Sequence, residues 1–201
     1  ELYNFSLSFV GYGYYNRISM SQKKTEIIKL AEIVKDLHPR VIVEIGTRKG
    51  GTLFMWSRIS RAHKIISIDL PMGPFGEGYP IQKQKLYKYF TLDKSTEMHL
   101  IQYDSHSEIT INKVKKILQS KKIDFLFIDG DHTYEGVKLD FELYSPFVRD
   151  GGIIAFHDIV KNTTLHIDAD KIEVPVFWNE IKTQYKNTEI IENLEQKSMG
   201  I

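Results

Sequence analysis

Val41-Ile-Val-Glu44-Ile-Gly46-Thr-Arg-Lys-Gly50-Gly51-Thr52 is the stretch that decides the fold. Residues 41–45 are a short, mostly β-branched apolar run, which reads as a strand buried in a parallel sheet. Residues 46–51 are a glycine-bounded turn, and helical spacing resumes over 52–59. Upstream, residues 23–37 place Ile27, Leu30, Ala31, Val34 and Leu37 on one helical face. His38-Pro39 ends that helix, because proline disfavours a helical residue before it.

The same alternation continues downstream. Strands are expected at 65–69, 100–103, 124–129, 153–157 and 189–191, and helices at 83–92, 111–118, 134–148 and 176–185. Strands alternating with helices mean βαβ units, so the fold class is α/β: a Rossmann-like, doubly wound, mostly parallel sheet. Ligands in such sheets bind outside the carboxyl ends of the strands. The polar residues at those ends are therefore the candidates for function.

Composition bounds the rest. The chain has 201 residues, 42% hydrophobic and 26% charged, which suits one soluble domain. Its 27 basic and 26 acidic residues give a formal charge of +1, so it carries no electrostatic footprint for nucleic acid. The lysine pairs at 23–24, 115–116 and 121–122 read as solvated helix faces. There is no cysteine, which excludes disulfides, thiolate nucleophiles and cysteine-based zinc sites. No apolar run approaches the roughly 20 residues that span a bilayer. No signal-peptide pattern opens the chain. A cytoplasmic protein without a membrane partner is expected.

Four constellations carry chemistry. In Glu44-Ile-Gly46-Thr47-x-x-Gly50, glycine tolerates positive φ and lets backbone approach a ligand closely. Asp69 ends the next strand, where nucleotide-binding α/β folds place an acid on the ribose hydroxyls. Asp104 and Ser105 end the third strand and either face the nucleoside or cap the next helix. Asp129-Gly-Asp131-His132 and His157-Asp158 end the fourth and fifth strands. Carboxylates and imidazoles converging there suit a divalent ion, and His132 suits a general base. The dinucleotide fingerprint G-x-G-x-x-G is absent, which disfavours an NAD(P)-dependent oxidoreductase. No 2-His-1-carboxylate iron motif is recognisable from spacing.

Glu44-Ile-Gly-Thr-x-x-Gly50, Asp69, Phe127-Ile-Asp129 and Gly151-Gly-Ile-Ile-Ala-Phe-His-Asp158 together resemble class I S-adenosylmethionine-dependent methyltransferases. The loop from Asp69 to Tyr79 and the run Asp129-Gly-Asp-His-x-Tyr134 are closest to the branch of cephalosporin hydroxylase-type proteins and macrolide-sugar O-methyltransferases. The resemblance covers roughly residues 22–201. It implies a seven-stranded sheet whose last strand is antiparallel and truncated where this chain stops. It implies that Glu44, Gly46, Thr47 and Gly50 cradle the methionine part of S-adenosylmethionine, with Asp129 beside them. Asp69 would hold the ribose, and Asp104 and Ser105 would lie near the adenine. Asp129, His157 and Asp158 would be metal ligands for Mg²⁺, and His132, with Asp129, would be catalytic. His157 stands where metal-dependent relatives carry an acid, and imidazole binds Mg²⁺ poorly.

The expected function is methylation of a hydroxyl on a sugar or small natural product. The alternative is a non-enzymatic nucleoside-binding subunit on the same fold. Residues 1–22, with the aromatic stretch 9–15, read as a lid or a homo-oligomer contact preceding a methyltransferase domain over 23–201. The glycine-rich loop 71–80 is a second candidate lid.

Overall fold

The computed structural model describes residues 1–8, 18–71, 78–163, 172–193 and 195–201. Five strands form one sheet: β1 (Val41–Ile45), β2 (Lys64–Asp69), β3 (Glu97–Gln102), β4 (Ile123–Ile128) and β5 (Val148–Phe156). All pairings are parallel, in the order β3-β2-β1-β4-β5. The chain starts at β1, winds outward to β3, then crosses back to β4. The crevice of such a sheet opens at this switch point, above the carboxyl ends of β1 and β4.

Among the described residues, seven α-helices accompany the strands: α1 (Leu2–Ser8), α2 (Lys24–Leu37), α3 (Gly51–Ile59), α4 (Lys83–Tyr87), α5 (Glu108–Leu118), α6 (Tyr134–Tyr144) and α7 (Val174–Ile181). Side chains of β1 alternate between two cores. Ile42 joins Ile27, Leu30 and Val34 of α2 and Leu53 and Trp56 of α3. Val41, Val43 and Ile45 join Val114 and Leu118 of α5 and Val137 of α6 on the other face. Trp56 meets Phe125 and Phe127 edge-on, at centroid distances of 5.1 and 5.6 Å. Truncating a buried aromatic of this kind costs about 3–5 kcal/mol.

Four local departures from the sequence reading have physical causes. The helix expected over 134–148 ends at Tyr144, because Pro146 sits in a 3₁₀ turn, Ser145–Phe147, that leads into β5. The strand expected at 153–157 begins earlier, at Val148, and β5 runs through Gly151 and Gly152. Gly151 adopts φ +71°, and a register shift opposite Ile123 and Phe125 absorbs the irregularity as a bulge. The helix expected over 83–92 is limited to α4, and Tyr89 and Leu92 beyond it are exposed. No strand forms at 189–191.

The last of these corrects the expected sheet edge. Among the described residues there are five strands, not seven, and none is antiparallel. Instead, Ile190 and Ile201 exchange reciprocal backbone bonds of 2.6 and 3.0 Å. The buried Glu26 of α2 fastens this C-terminal segment, accepting from Gln196 Nε2 at 2.7 Å and Gly200 N at 3.0 Å.

The N-terminal segment contains a helix that its aromatic composition did not announce. In α1, Phe5 stacks on Phe54 of α3 at 5.5 Å. Residues 9–15, and most of the candidate lid at 71–80, lie outside the described residues. No helix among the described residues is long and apolar enough to cross a membrane.

Candidate active site

The bend after β1 is built from three left-handed residues, Gly46 (φ +89°), Arg48 (φ +45°) and Gly50 (φ +77°). This winding turns two successive N–H groups onto the acid of the neighbouring strand. Thr47 N donates to Asp69 Oδ2 at 3.0 Å and Arg48 N donates to the same oxygen at 2.5 Å. Asp69 Oδ1 accepts from Leu70 N at 2.8 Å. Asp69 and the bend therefore position each other.

Glu44 lies behind the bend with no exposed surface. It accepts from Thr47 Oγ1 at 2.8 Å and Trp56 Nε1 at 3.1 Å. Burial, only partly offset by these donors, pushes its pKa up to about 7. Thr47 is also buried, and its hydroxyl shares a 2.6 Å bond with Ser67. Both side chains brace the bend from inside rather than face the opening.

Gly46 and Gly50 approach other parts of the protein closely. A Cβ on Gly46 would lie 1.9 Å from the carbonyl oxygen of Asp129, and one on Gly50 2.6 Å from the Tyr87 ring. Gly46 thus lets β1 and β4 close together at their tips. Tyr87 donates to the Arg48 carbonyl at 2.8 Å, and its ring meets Tyr79 at 4.9 Å. Tyr79 is buried in this packing.

Beside the bend, β4 and β5 present a four-residue cluster. His157 Nδ1 lies 3.2 Å from both Asp129 Oδ1 and Asp158 Oδ2. From the other side, His132 Nε2 lies 3.4 and 3.6 Å from the same two oxygens. His157 is buried, and neither of its ring nitrogens has an aligned hydrogen bond, so its pairing with the acids is one of charge. Asp158 is held at φ +63°, a sparsely populated conformation that turns its carboxylate back toward His132. Asp129, His132 and Asp158 each offer a ligand atom within 4.8 Å of one another.

Electrostatics in the cluster are reciprocal. Burial opposes charge on Asp129, but the imidazoles of His157 and His132 outweigh it and hold the carboxyl below its ordinary range. Burial likewise opposes the His132 imidazolium, but Asp129 and Asp158 push its pKa up to about 9. His157 is raised well above its ordinary value, burial being overcome by Asp129 and Asp158. Both imidazoles of the cluster therefore favour their protonated form at neutral pH.

The tip of β3 is organised differently. Asp104 Oδ1 accepts from His106 N at 2.9 Å in a local turn, and the Ser105 carbonyl accepts from Tyr144 at 2.7 Å. The cap of α5 is Ser107, whose hydroxyl accepts from Ile109 N. A shallow groove lined by Lys29, Glu32, Asp36 and Ile190 lies between α2 and the C-terminal segment. It contains none of the groups of the bend or the cluster.

A family model described as a methyltransferase domain matches residues 43–159, from β1 to just beyond the cluster. The chain belongs to this methyltransferase family. Its sequence relatives include protein R132 of Acanthamoeba polyphaga mimivirus, 35% identical over 116 residues, which are 58% of this chain and 50% of that protein. The protein y4gI of Sinorhizobium fredii is 27% identical over 133 residues, or 63% of this chain and 14% of that one. The chain thus spans half or less of the curated relatives it matches.

Solved structures share the fold. CalS11, described as a TDP-rhamnose 3'-O-methyltransferase, superposes with TM-score 0.63 at 15% identity, over 88% of this chain and 78% of that one. TomG of Streptomyces achromogenes, an O-methyltransferase solved with S-adenosylmethionine, gives 0.61 at 13% identity, over 98% and 92%. At such identities the likeness is one of fold.

The methyltransferase fold brings Gly46, Thr47, Gly50 and Asp69 to one bend. It brings Asp129, His132, His157 and Asp158 to one cluster beside it, while Asp104 and Ser105 stand apart at the tip of β3. The convergence of two histidines and two acids from two strand ends is as expected from their places after β4 and β5. Sequence spacing missed Gln22, whose Nε2 donates to Asp129 Oδ2 at 2.5 Å, since no motif marks it. Tyr134-x-x-x-Lys138 has the spacing of a catalytic pair used by NAD(P)-dependent oxidoreductases. Tyr134, however, donates to Glu180 at 2.6 Å, and that bond raises its pKa, the opposite of activation.

Proposed function

We propose that this chain is an S-adenosylmethionine-dependent O-methyltransferase acting on a hydroxyl of a small molecule, with sugar hydroxyls the first class to test. The observation that carries this reading is the junction of two sites at Asp129. The bend that fixes Asp69 lies on one side, and the histidine–carboxylate cluster lies on the other. CalS11 as a sugar-nucleotide O-methyltransferase and TomG with its bound donor support the choice of donor and acceptor.

The cofactor would lie across the tips of β2, β1 and β4. Asp69 would accept from the ribose hydroxyls, since a carboxylate offers about four acceptor positions. A sulfonium methyl is already electrophilic, so the protein's work is alignment and deprotonation. Holding the acceptor oxygen about 3 Å from the methyl carbon, in line with the sulfur, recovers much of the barrier. His132, a third exposed where His157 is buried, is the imidazole an acceptor can reach. It must shed its own proton before it can take the hydroxyl's.

The cluster fits a divalent cation. Asp129 and Asp158 with one imidazole would hold it, and the mixed nitrogen and oxygen donors suit a transition ion better than Mg²⁺. Bound there, such an ion would lower the pKa of a chelating substrate hydroxyl.

The test is transfer of labelled methyl from S-adenosylmethionine to a panel of nucleotide sugars and hydroxylated small molecules. Activity should fall about a hundredfold in His132→Asn, the usual scale for losing a general base, with cofactor affinity unchanged. Cofactor binding without turnover on any acceptor would favour a nucleoside-binding subunit instead.

A further inference from the structure

Residues 18–22 cross directly over the bend. Ser19 bridges Gly50 as a short parallel pair. A Cβ on Gly51 would lie 2.4 Å from both Ser19 and Met20. Arg48 Nη1 reaches Ser21 Oγ at 3.4 Å. The segment ends at Gln22, which is 6% exposed and donates through Nε2 to Asp129 Oδ2. Gln22 lies outside the matched residues 43–159.

The carboxylate settles which way the amide faces. An oxygen turned toward Asp129 Oδ2 would oppose two acceptors, so the nitrogen must point there. Oε1 then faces away from the acid. It is buried and has no donor among the described residues. A buried acceptor left without a partner is costly, and a ligand that supplies a donor removes that cost.

The order of the strands says which part of a ligand would arrive. With the ribose at Asp69 on β2, one end of the nucleoside runs toward β3 and the other over β1 toward β4. Asp129 and Gln22 meet the second end. In the methyl donor that end carries an amino acid, whose ammonium offers three hydrogens and a positive charge. Asp129 Oδ1 is turned to the two histidines and Oδ2 to Gln22, so the acid links the acceptor side of the crevice to this corner.

We propose that Gln22 is a cofactor-binding residue: Oε1 accepts from the ammonium of the donor's amino-acid end while Nε2 holds Asp129 in place. This rests on the methyl-donor reading above. It adds a recognition element supplied from outside the matched domain.

The experiment compares two ligands by calorimetry on the whole chain. S-adenosylmethionine has the amino-acid end, and 5′-methylthioadenosine has the same nucleoside and sulfur without it. Gln22→Ala and the near-isosteric Gln22→Met should each weaken S-adenosylmethionine roughly ten- to a hundredfold, the scale of a hydrogen bond to a charged group. Both should bind 5′-methylthioadenosine as the parent protein does. Equal weakening of both ligands would mean that Gln22 only shapes the bend, and unchanged S-adenosylmethionine affinity would mean that it makes no contact; either overturns the proposal. If the parent protein binds neither ligand, the methyl-donor reading itself fails.

Discussion

His157 reaches Asp129 from inside the core, with Nδ1 3.2 Å from Oδ1, while its backbone N–H donates to the Ile128 carbonyl at 3.1 Å. The pair joins the tips of β4 and β5 by charge as well as by the sheet. Replacing His157 with alanine leaves Asp129 and Asp158 with only the partly exposed His132 as a charge partner. The expected cost is about 3 kcal/mol, the scale for breaking a buried ion pair. Urea unfolding of His157→Ala and Asp129→Asn, singly and together, would show it as a coupling: the double variant should lose less than the two singles combined.

The raised pKa of His132 makes stability depend on pH in a defined direction. In the unfolded chain an imidazole titrates near 6.5, and in the folded protein His132 titrates at about 9. The folded state therefore holds the proton more tightly. The stability this contributes is fully present below pH 6.5 and is lost as pH rises through about 9. Thermal melting of the metal-free protein across that range should show the decline, and His132→Asn should reduce it, with His157 supplying the remainder. The same titration should appear in catalysis as a rate that rises with pH.

Glu44 works in a lower window. Its carboxyl is raised by burial from 4.5 to about 7, so the folded protein holds a proton that the unfolded chain releases. Stability should decline between those two values, by an amount on the order of 3 kcal/mol. Glu44→Gln keeps a carbonyl for Trp56 or Thr47 and cannot ionise. Denaturation curves at pH 5 and pH 7.5 should differ more for the parent than for the variant, in which only the decline from the histidines remains.

Gly46→Ala tests the closure of the strand tips. The added methyl would lie 1.9 Å from the Asp129 carbonyl at a φ of +89°, and backbone cannot yield as a flexible side chain can. A loss of about 3 kcal/mol or more is expected in the denaturation midpoint, with backbone strain and overpacking adding. A glycine that served only to admit a ligand would show little change in the unliganded protein.

The strands that proved easiest to read are those buried on both faces. Residues 41–45, apart from Glu44, and the run Phe125 to Ile128 are apolar, as burial on both faces demands. The edge strand β3, Glu97–Gln102, half exposed and carrying His99 and Gln102, shows no such run, and only its latter part was expected. The site divided in the same way. Asp69 and Gly46 were legible because a strand–turn–helix fixes their places within one unit. The convergence of His132 with His157 was legible from their strand ends, but the meeting of Gln22 with Asp129 depends on the packing of separate units, which spacing along the chain does not encode. The inward turn of Glu44 and Thr47 was likewise invisible, since a carboxylate and a hydroxyl at a strand end suit a ligand as well as they suit Trp56.

The most direct test of the account is calorimetric titration of the chain and its Asp69→Asn variant with S-adenosylmethionine. The account predicts saturable one-to-one binding to the parent chain, and at least tenfold weaker binding, about 1.4 kcal/mol, when the ribose acid is neutralised. Failure of the parent chain to bind at millimolar cofactor, or equal affinity in the variant, would contradict a donor gripped at the tips of β1 and β2.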